Sequence, residues 1–185
     1  ITIPESVTKI DEFALSGCSS IIKIKIPDSC ELIADNAFDQ CSNFEELTMN
    51  PYKTHLQAKS FINCPNLQIF IFSDTIDEIT QYDFTFLQQI KSVIIPKSVH
   101  IIHPRSFYEC KSIEEILIPS TVERIGDHSF YSCSSLKTIN IPSKIKNIEE
   151  SLFNGCTSLE QINLPANIET VESSAFKECT SLKQI

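Results

Sequence analysis

The chain has 185 residues, 42% hydrophobic and 21% charged, with a formal net charge of −9. That acidity excludes a nucleic-acid-binding surface, which needs clustered Lys and Arg to displace counterions, and three glycines leave no room for a Gly-rich nucleotide loop. No run of 18 apolar residues is present, so no segment is expected to insert into a membrane as a helix.

The length equals eight times 23 plus one, and a 23-residue period runs through the chain without insertion or deletion. Ile-Pro recurs at Ile3-Pro4, Ile26-Pro27, Ile95-Pro96, Ile118-Pro119 and Ile141-Pro142, with Leu164-Pro165 in the same frame. Met49 and Phe72 hold the apolar position where Asn50 and Ser73 replace Pro. Eight repeats follow, at 3-25, 26-48, 49-71, 72-94, 95-117, 118-140, 141-163 and 164-185, read as one solenoid domain. Equivalent residues stack only if every coil has the same length, so each apolar column becomes a continuous row through the core.

Along one repeat, Leu136, Ile139 and Ile141 lead into Pro142 with a final alternation that predicts a short strand. Pro142 lacks an N–H donor and marks where strand pairing stops. Ser143 to Ile148 predicts a second short extended segment, and Ser151 to Cys156 a helical or 3₁₀ turn. Adjacent coils should pair as a parallel sheet. One column reads Leu15, Phe38, Phe61, Phe84, Phe107, Phe130, Phe153, Phe176, and another Cys18, Cys41, Cys64, Leu87, Cys110, Cys133, Cys156, Cys179. The fold class expected is a repeat solenoid, an α/β-type leucine-rich repeat arc dominated by short parallel strands, with helical or 3₁₀ turns and about eight coils.

The run Cys133 to Pro142, followed by Ile145, Ile148 and Leu152-Phe153-Asn154-Gly155-Cys156, resembles the BspA-like (Treponema-type) leucine-rich repeat. The pattern Leu-x-x-Ile-x-Ile-Pro-x-x-Val-x-x-Ile-x-x-x-Ala-Phe-x-x-Cys covers nearly the whole chain. The resemblance implies a right-handed arc with its main sheet on the concave side, a cell-surface or secreted location, and a role in adhesion. It supplies no catalytic residues. The third and fourth repeats depart from the pattern: Pro51 is shifted by one, Lys53 occupies the Val column, Asp83 the small column and Leu87 the Cys column.

The cysteines read as reduced, buried thiols rather than disulfides, because Leu87 shares their slot and Cys30 fills one held by Val7, Val99 and Val122. Stacked neighbours would be about 4.8 Å apart, but their parallel Cβ vectors strain a bridge. A row at 23-residue spacing does not converge on zinc. His100 and His103 fall in a predicted loop with no third ligand, and Ser106 with Asp127 forms no nucleophile–base pattern. No catalytic, cofactor or metal site is expected, and the chain is read as non-enzymatic.

The strand positions three and one before each Ile-Pro residue point away from the core. They are polar near the ends, at Lys23 and Lys25, Glu46 and Thr48, Thr138 and Asn140, and Gln161 and Asn163. In the middle they become Ile69 and Ile71, Ser92 and Ile94, and Glu115 and Leu117. Ile69, Ile71, Ile94 and Leu117 are expected to form an apolar patch that binds a protein or glycan on the concave face. A one-residue register change in the departing repeats would instead turn Phe70 and Phe72 outward.

Neither end carries a polar cap or signal peptide, which predicts a fragment of a longer array. Uncapped ends could stack end to end or form a homodimer. The alternative function is an intracellular scaffold that assembles through solenoid ends or edges.

Overall fold

The computed structural model describes residues 2–81 and 89–184. The chain forms a parallel β-solenoid of about seven turns. Eight repeats therefore close one turn fewer than the eight coils expected, since eight successive strand positions enclose seven intervals. Asp83, Phe84, Leu87 and Ile185 lie outside the described residues.

The described chain divides into two compact units, one holding residues 2–73 and 89–90, the other residues 74–81 and 91–184. In the first unit, β1 (Lys9–Ile10), β3 (Leu32–Ile33) and β5 (His55–Leu56) make one parallel sheet, and β2 (Lys23–Lys25), β4 (Glu46–Met49) and β6 (Ile69–Phe72) pair in parallel as a second. In the other unit, β7 (Glu78–Ile79), β9 (Ile101–Ile102) and β11 (Arg124–Ile125) pair, as do β8 (Ser92–Ile94), β10 (Glu115–Leu117) and β12 (Thr138–Ile139). β13 (Asn147–Ile148) pairs with β14 (Thr170–Val171). The strand registers join residues 23 apart, such as Leu47↔Phe70 and Ile116↔Ile139. The sequence period is thus the coil length.

Proline sets strand length. Where Pro follows the apolar residue, as after Ile26 or Ile118, β2 and β10 stop at three residues. Where Asn50 and Ser73 replace it, β4 and β6 run to four, and the Ser73 N–H donates to the Met49 carbonyl at 2.9 Å. The inward columns are buried in the inner coils of both units and become partly exposed towards the two ends, as at Leu15 and Phe176. Phe38, Phe107, Phe130 and Phe153 have no exposed surface, and in the second unit the rings of Phe107, Phe130, Phe153 and Phe176 stack at 5.4–5.6 Å.

The helical turns expected between strands are absent among the described residues. The segments form successive single turns, and backbone sign explains why. His128 and Ser132 have φ of 55°, as do equivalent pairs such as Asn36 (60°) with Gln40 (58°) and Arg105 (60°) with Glu109 (57°). A left-handed residue every fourth position interrupts any helix. Alternate N–H groups then serve two directions. Tyr131 and Cys133 close turns onto His128 and Phe130, whereas His128, Phe130 and Ser132 donate to Glu150, Leu152 and Asn154 of the following coil. The turn side is an intercoil ladder too.

The third repeat resolves its displaced Pro51 by a local shift. Both Lys53 and Thr54 donate to the Asn50 carbonyl at 3.2 Å, so the turn is one residue longer. Thr54 takes the inward place, 2% exposed, and its hydroxyl donates to the Cys30 carbonyl at 2.7 Å. Lys53 is exposed and pairs with Asp28 at 2.9 Å. The aligned column position is therefore not the buried one here.

Candidate functional site

All eight cysteines are free thiols, and the structure gives their column a chemical reason. Cys41, Cys64, Cys133, Cys156 and Cys179 each donate the S–H to the carbonyl three residues before the equivalent Cys of the previous coil. Cys64 reaches Phe38 at 3.0 Å, Cys133 reaches Phe107 at 3.1 Å and Cys156 reaches Phe130 at 3.2 Å. A side chain that is apolar in bulk yet carries one weak donor fits a buried carbonyl better than Val does. The hydrogen-bonding half of this role was not visible in the sequence. Burial pushes the Cys64 and Cys156 thiols up to about 12, and Cys133 well above the ordinary thiol range. These are not nucleophiles at neutral pH.

Two results follow. Under native conditions at pH 8, Cys64, Cys133 and Cys156 should resist iodoacetamide until the protein unfolds, read by peptide mass spectrometry. Because their folded values are raised, their protonated forms stabilise the fold fully below the unfolded thiol value of about 9. That contribution is lost as pH climbs from 9 towards 12, so the urea midpoint should fall over that window.

The hydroxyls replacing Ala in the small column are likewise satisfied. The Ser106 hydroxyl bonds the Ile79 carbonyl at 2.9 Å and the His103 carbonyl at 2.7 Å, and Ser129 bonds Gly126 at 2.6 Å and His103 at 3.0 Å. Both serines are structural. His103 faces Glu78 at 2.6 Å and His128 faces Asp127 at 3.0 Å, so His103 and His100 share no ligand set. Among the described residues, no group of three or more His, Cys, Asp and Glu side chains is placed to hold a metal ion. No helix of the described chain is long and apolar enough to cross a membrane.

The outward faces of the main strands can be placed unit by unit. In the first unit, Phe70 and Phe72 are buried, so Ile69 and Ile71 point outward and are half-buried, beside Glu46 and Thr48 of β4. The alternative register, with the phenylalanines outside, is thereby excluded. In the second unit, Ser92 and Ile94 are half-buried, Glu115 is exposed and Leu117 is 42% exposed. Leu117 lies directly opposite Ile94, and Glu115 opposite Ser92. A groove of about 320 Å³ opens beside them, lined outwardly by Glu115, Leu117, Thr138, Asn140 and Asn163. The Glu115 carboxylate has no ion-pair partner among the described residues, in contrast to Glu114, whose carboxyl Lys137 and Lys91 hold below its ordinary value. Thr138, Asn140 and Asn163 were read from sequence only as a polar end of the sheet. Their place in a groove depends on how the coils separate.

A profile of the BspA type leucine-rich repeat region, in six copies, matches residues 1–91 and 77–185. The chain belongs to the BspA-type leucine-rich repeat family. Leucine-rich repeat solenoids are, in general, protein-interaction modules. Among solved structures, the chain is similar to a leucine-rich repeat protein from Bacteroides ovatus, at 27% identity and a TM-score of 0.60 over 100% of this chain and 44% of that one. It is similar also to the leucine-rich repeat protein of T. pallidum, at 22% identity and a TM-score of 0.56 over 99% of this chain and 77% of that one. The chain thus spans less than half the length of the Bacteroides protein. No relative among curated protein sequences matches it.

Proposed function

We propose that this BspA-type chain is a non-enzymatic recognition and adhesion module of a surface or secreted protein. It binds a protein or glycan partner on the outward face of its main strands. The observation that carries the reading is in the second unit, where exposed Leu117 sits opposite Ile94 and beside a groove holding a carboxylate without an ion-pair partner and two asparagines. An apolar contact next to fixed polar groups is the usual composition of a binding surface. Ser92 and Glu115 belong to the same face. Ile69 and Ile71 give the first unit an outward apolar pair of its own.

The test is binding to an array of extracellular-matrix proteins and glycans, with Leu117→Lys, Ile94→Lys and Ile71→Lys measured beside the parent chain. All three side chains are partly solvated, so each variant should unfold near the parent urea midpoint. Leu117→Lys and Ile94→Lys should weaken a captured partner by about thirty-fold each, the loss expected of hot-spot residues. Unchanged affinity in all three variants would remove this face from recognition. Unfolding of Ile94→Lys would show that residue to be core.

A further inference from the structure

One junction in the second unit lacks ties that its neighbours have. In the preceding coils, Glu123 donates its N–H to His100 and Gly126 donates to Ile102, both at 2.8 Å. In the following coil, Glu169 donates to Lys146 at 2.7 Å and Glu172 to Ile148 at 2.8 Å. The equivalent bonds from Lys146 to Glu123 and from Glu149 to Ile125 are missing, and β13 does not pair with β11. A groove of about 390 Å³ lies there, lined by Glu123, Arg124, Ile125 and residues 144–147 and 149.

The same slit continues back to the main sheet. The Ile26 and Ile95 N–H groups bond a backbone carbonyl of the next coil, at 2.8 and 3.1 Å. Ile118 is held instead by the Asn140 side chain, which accepts from its N–H at 3.3 Å and donates to its carbonyl at 2.8 Å. A carboxamide has taken the place of the ladder.

One sequence difference marks the slit. In three other coils the residue three after the Ile-Pro or Leu-Pro position is a small polar group that donates to the coil before it: Ser29 to Val7 at 2.9 Å, Thr121 to Val99 at 2.8 Å, and Asn167 to Ile145 at 3.2 Å, whereas the hydroxyl of Ser98, at the same position, is buried without a hydrogen-bond partner among the described residues. Lys144 occupies that position here and reaches outward to Glu123 at 2.6 Å. Val122 loses its tie. Upstream, Ile116 still pairs with Ile139, and downstream the His128, Phe130 and Ser132 donors still reach the next coil.

The geometry points to a built-in opening between segments 118–125 and 141–148, latched by the Asn140 amide. The segment parts locally while the stacked phenylalanines and the turn ladder hold the two coils together. Because Asn140 also lines the groove beside Leu117, a ligand that takes up its amide releases the latch. Contact on the outward face is thereby coupled to separation of the coils, although the opening itself does not depend on any partner.

Native-state hydrogen exchange on the full chain tests this. Amides of Lys146 and Glu149 should exchange at least about ten-fold faster than those of Glu123 and Gly126, their bonded equivalents one coil earlier. Lys144→Thr restores the missing donor and should slow Lys146 and Glu149 towards those values. Asn140→Ala should speed exchange at Ile118 while leaving Glu123 and Gly126 unchanged. Equal protection of all four amides in the parent chain, or no slowing in Lys144→Thr, overturns the opening. A uniform rise across every amide in Asn140→Ala, or none at Ile118, overturns the latch.

Discussion

Phe130→Ala is expected to lower the unfolding free energy by about 3–5 kcal/mol, the range for truncating a fully buried phenylalanine. Its ring has no exposed surface and stacks on Phe107 at 5.6 Å and Phe153 at 5.5 Å, with planes within 13°. Truncation therefore empties one site and strips a face from two neighbours. The ladder prevents collapse of the space, because coil spacing is fixed by backbone bonds from Phe130 to Leu152 and from Phe107 to Ser129. Damage should concentrate in adjoining coils, as nearest-neighbour coupling in repeat proteins requires. Phe176 is only half-buried and touches one ring, so Phe176→Ala should cost clearly less. Urea denaturation of both variants measures the difference. A loss below about 1 kcal/mol for Phe130→Ala contradicts the stacked core.

Gly126→Ala is the second large effect, and it arises from backbone approach rather than from a cavity. Gly126 is buried, and a Cβ there would lie 2.5 Å from Pro104 Cδ and 2.7 Å from Cγ, as well as against the Pro104 nitrogen. Contacts this short require the coils to move apart, against the bond from Gly126 N–H to Ile102 at 2.8 Å. The cost should reach about 3 kcal/mol, the upper part of the usual overpacking range. The equivalent positions His103 and Glu149 carry side chains, and Gln81 and Asp127 stand there in the place of Pro104. Pro104→Ala in the Gly126→Ala background should thus recover part of the loss, giving a measurable coupling in a double-mutant cycle. Strictly additive effects would assign the clash to the backbone nitrogen alone.

Most of the core was legible because a solenoid repeats its constraints. Leu136, Ile139 and Ile141 recur at fixed spacing, and the structure buries all three. The Phe70 and Phe72 register could not be decided by alternation alone, since Ile69-Phe70-Ile71-Phe72 is apolar on both faces. Pairing with Leu47 and Met49 decided it. The turns were misread as helical because Ser151-Leu152-Phe153 spacing suits a helix, while the left-handed residues carry little glycine signal. Of the positive-φ residues in these turns, only Gly17 and Gly155 are glycine; Arg105, Glu109 and Glu178 show no such mark. The Lys53 column failed for a different reason: one extra turn residue transfers burial to Thr54 without changing the total repeat length.

Coil length, family and the inward rows of Phe, Ile and Cys follow from the order of residues alone, because equal spacing is the condition for stacking. Tertiary structure decided what happens between coils. Whether the Cys64 thiol meets a carbonyl, whether Asn140 replaces a ladder bond, and whether Lys146 finds Glu123 depend on residues 22 to 26 positions apart. Those pairings are set by the local spacing between neighbouring coils, and no repeat pattern encodes that spacing one coil at a time.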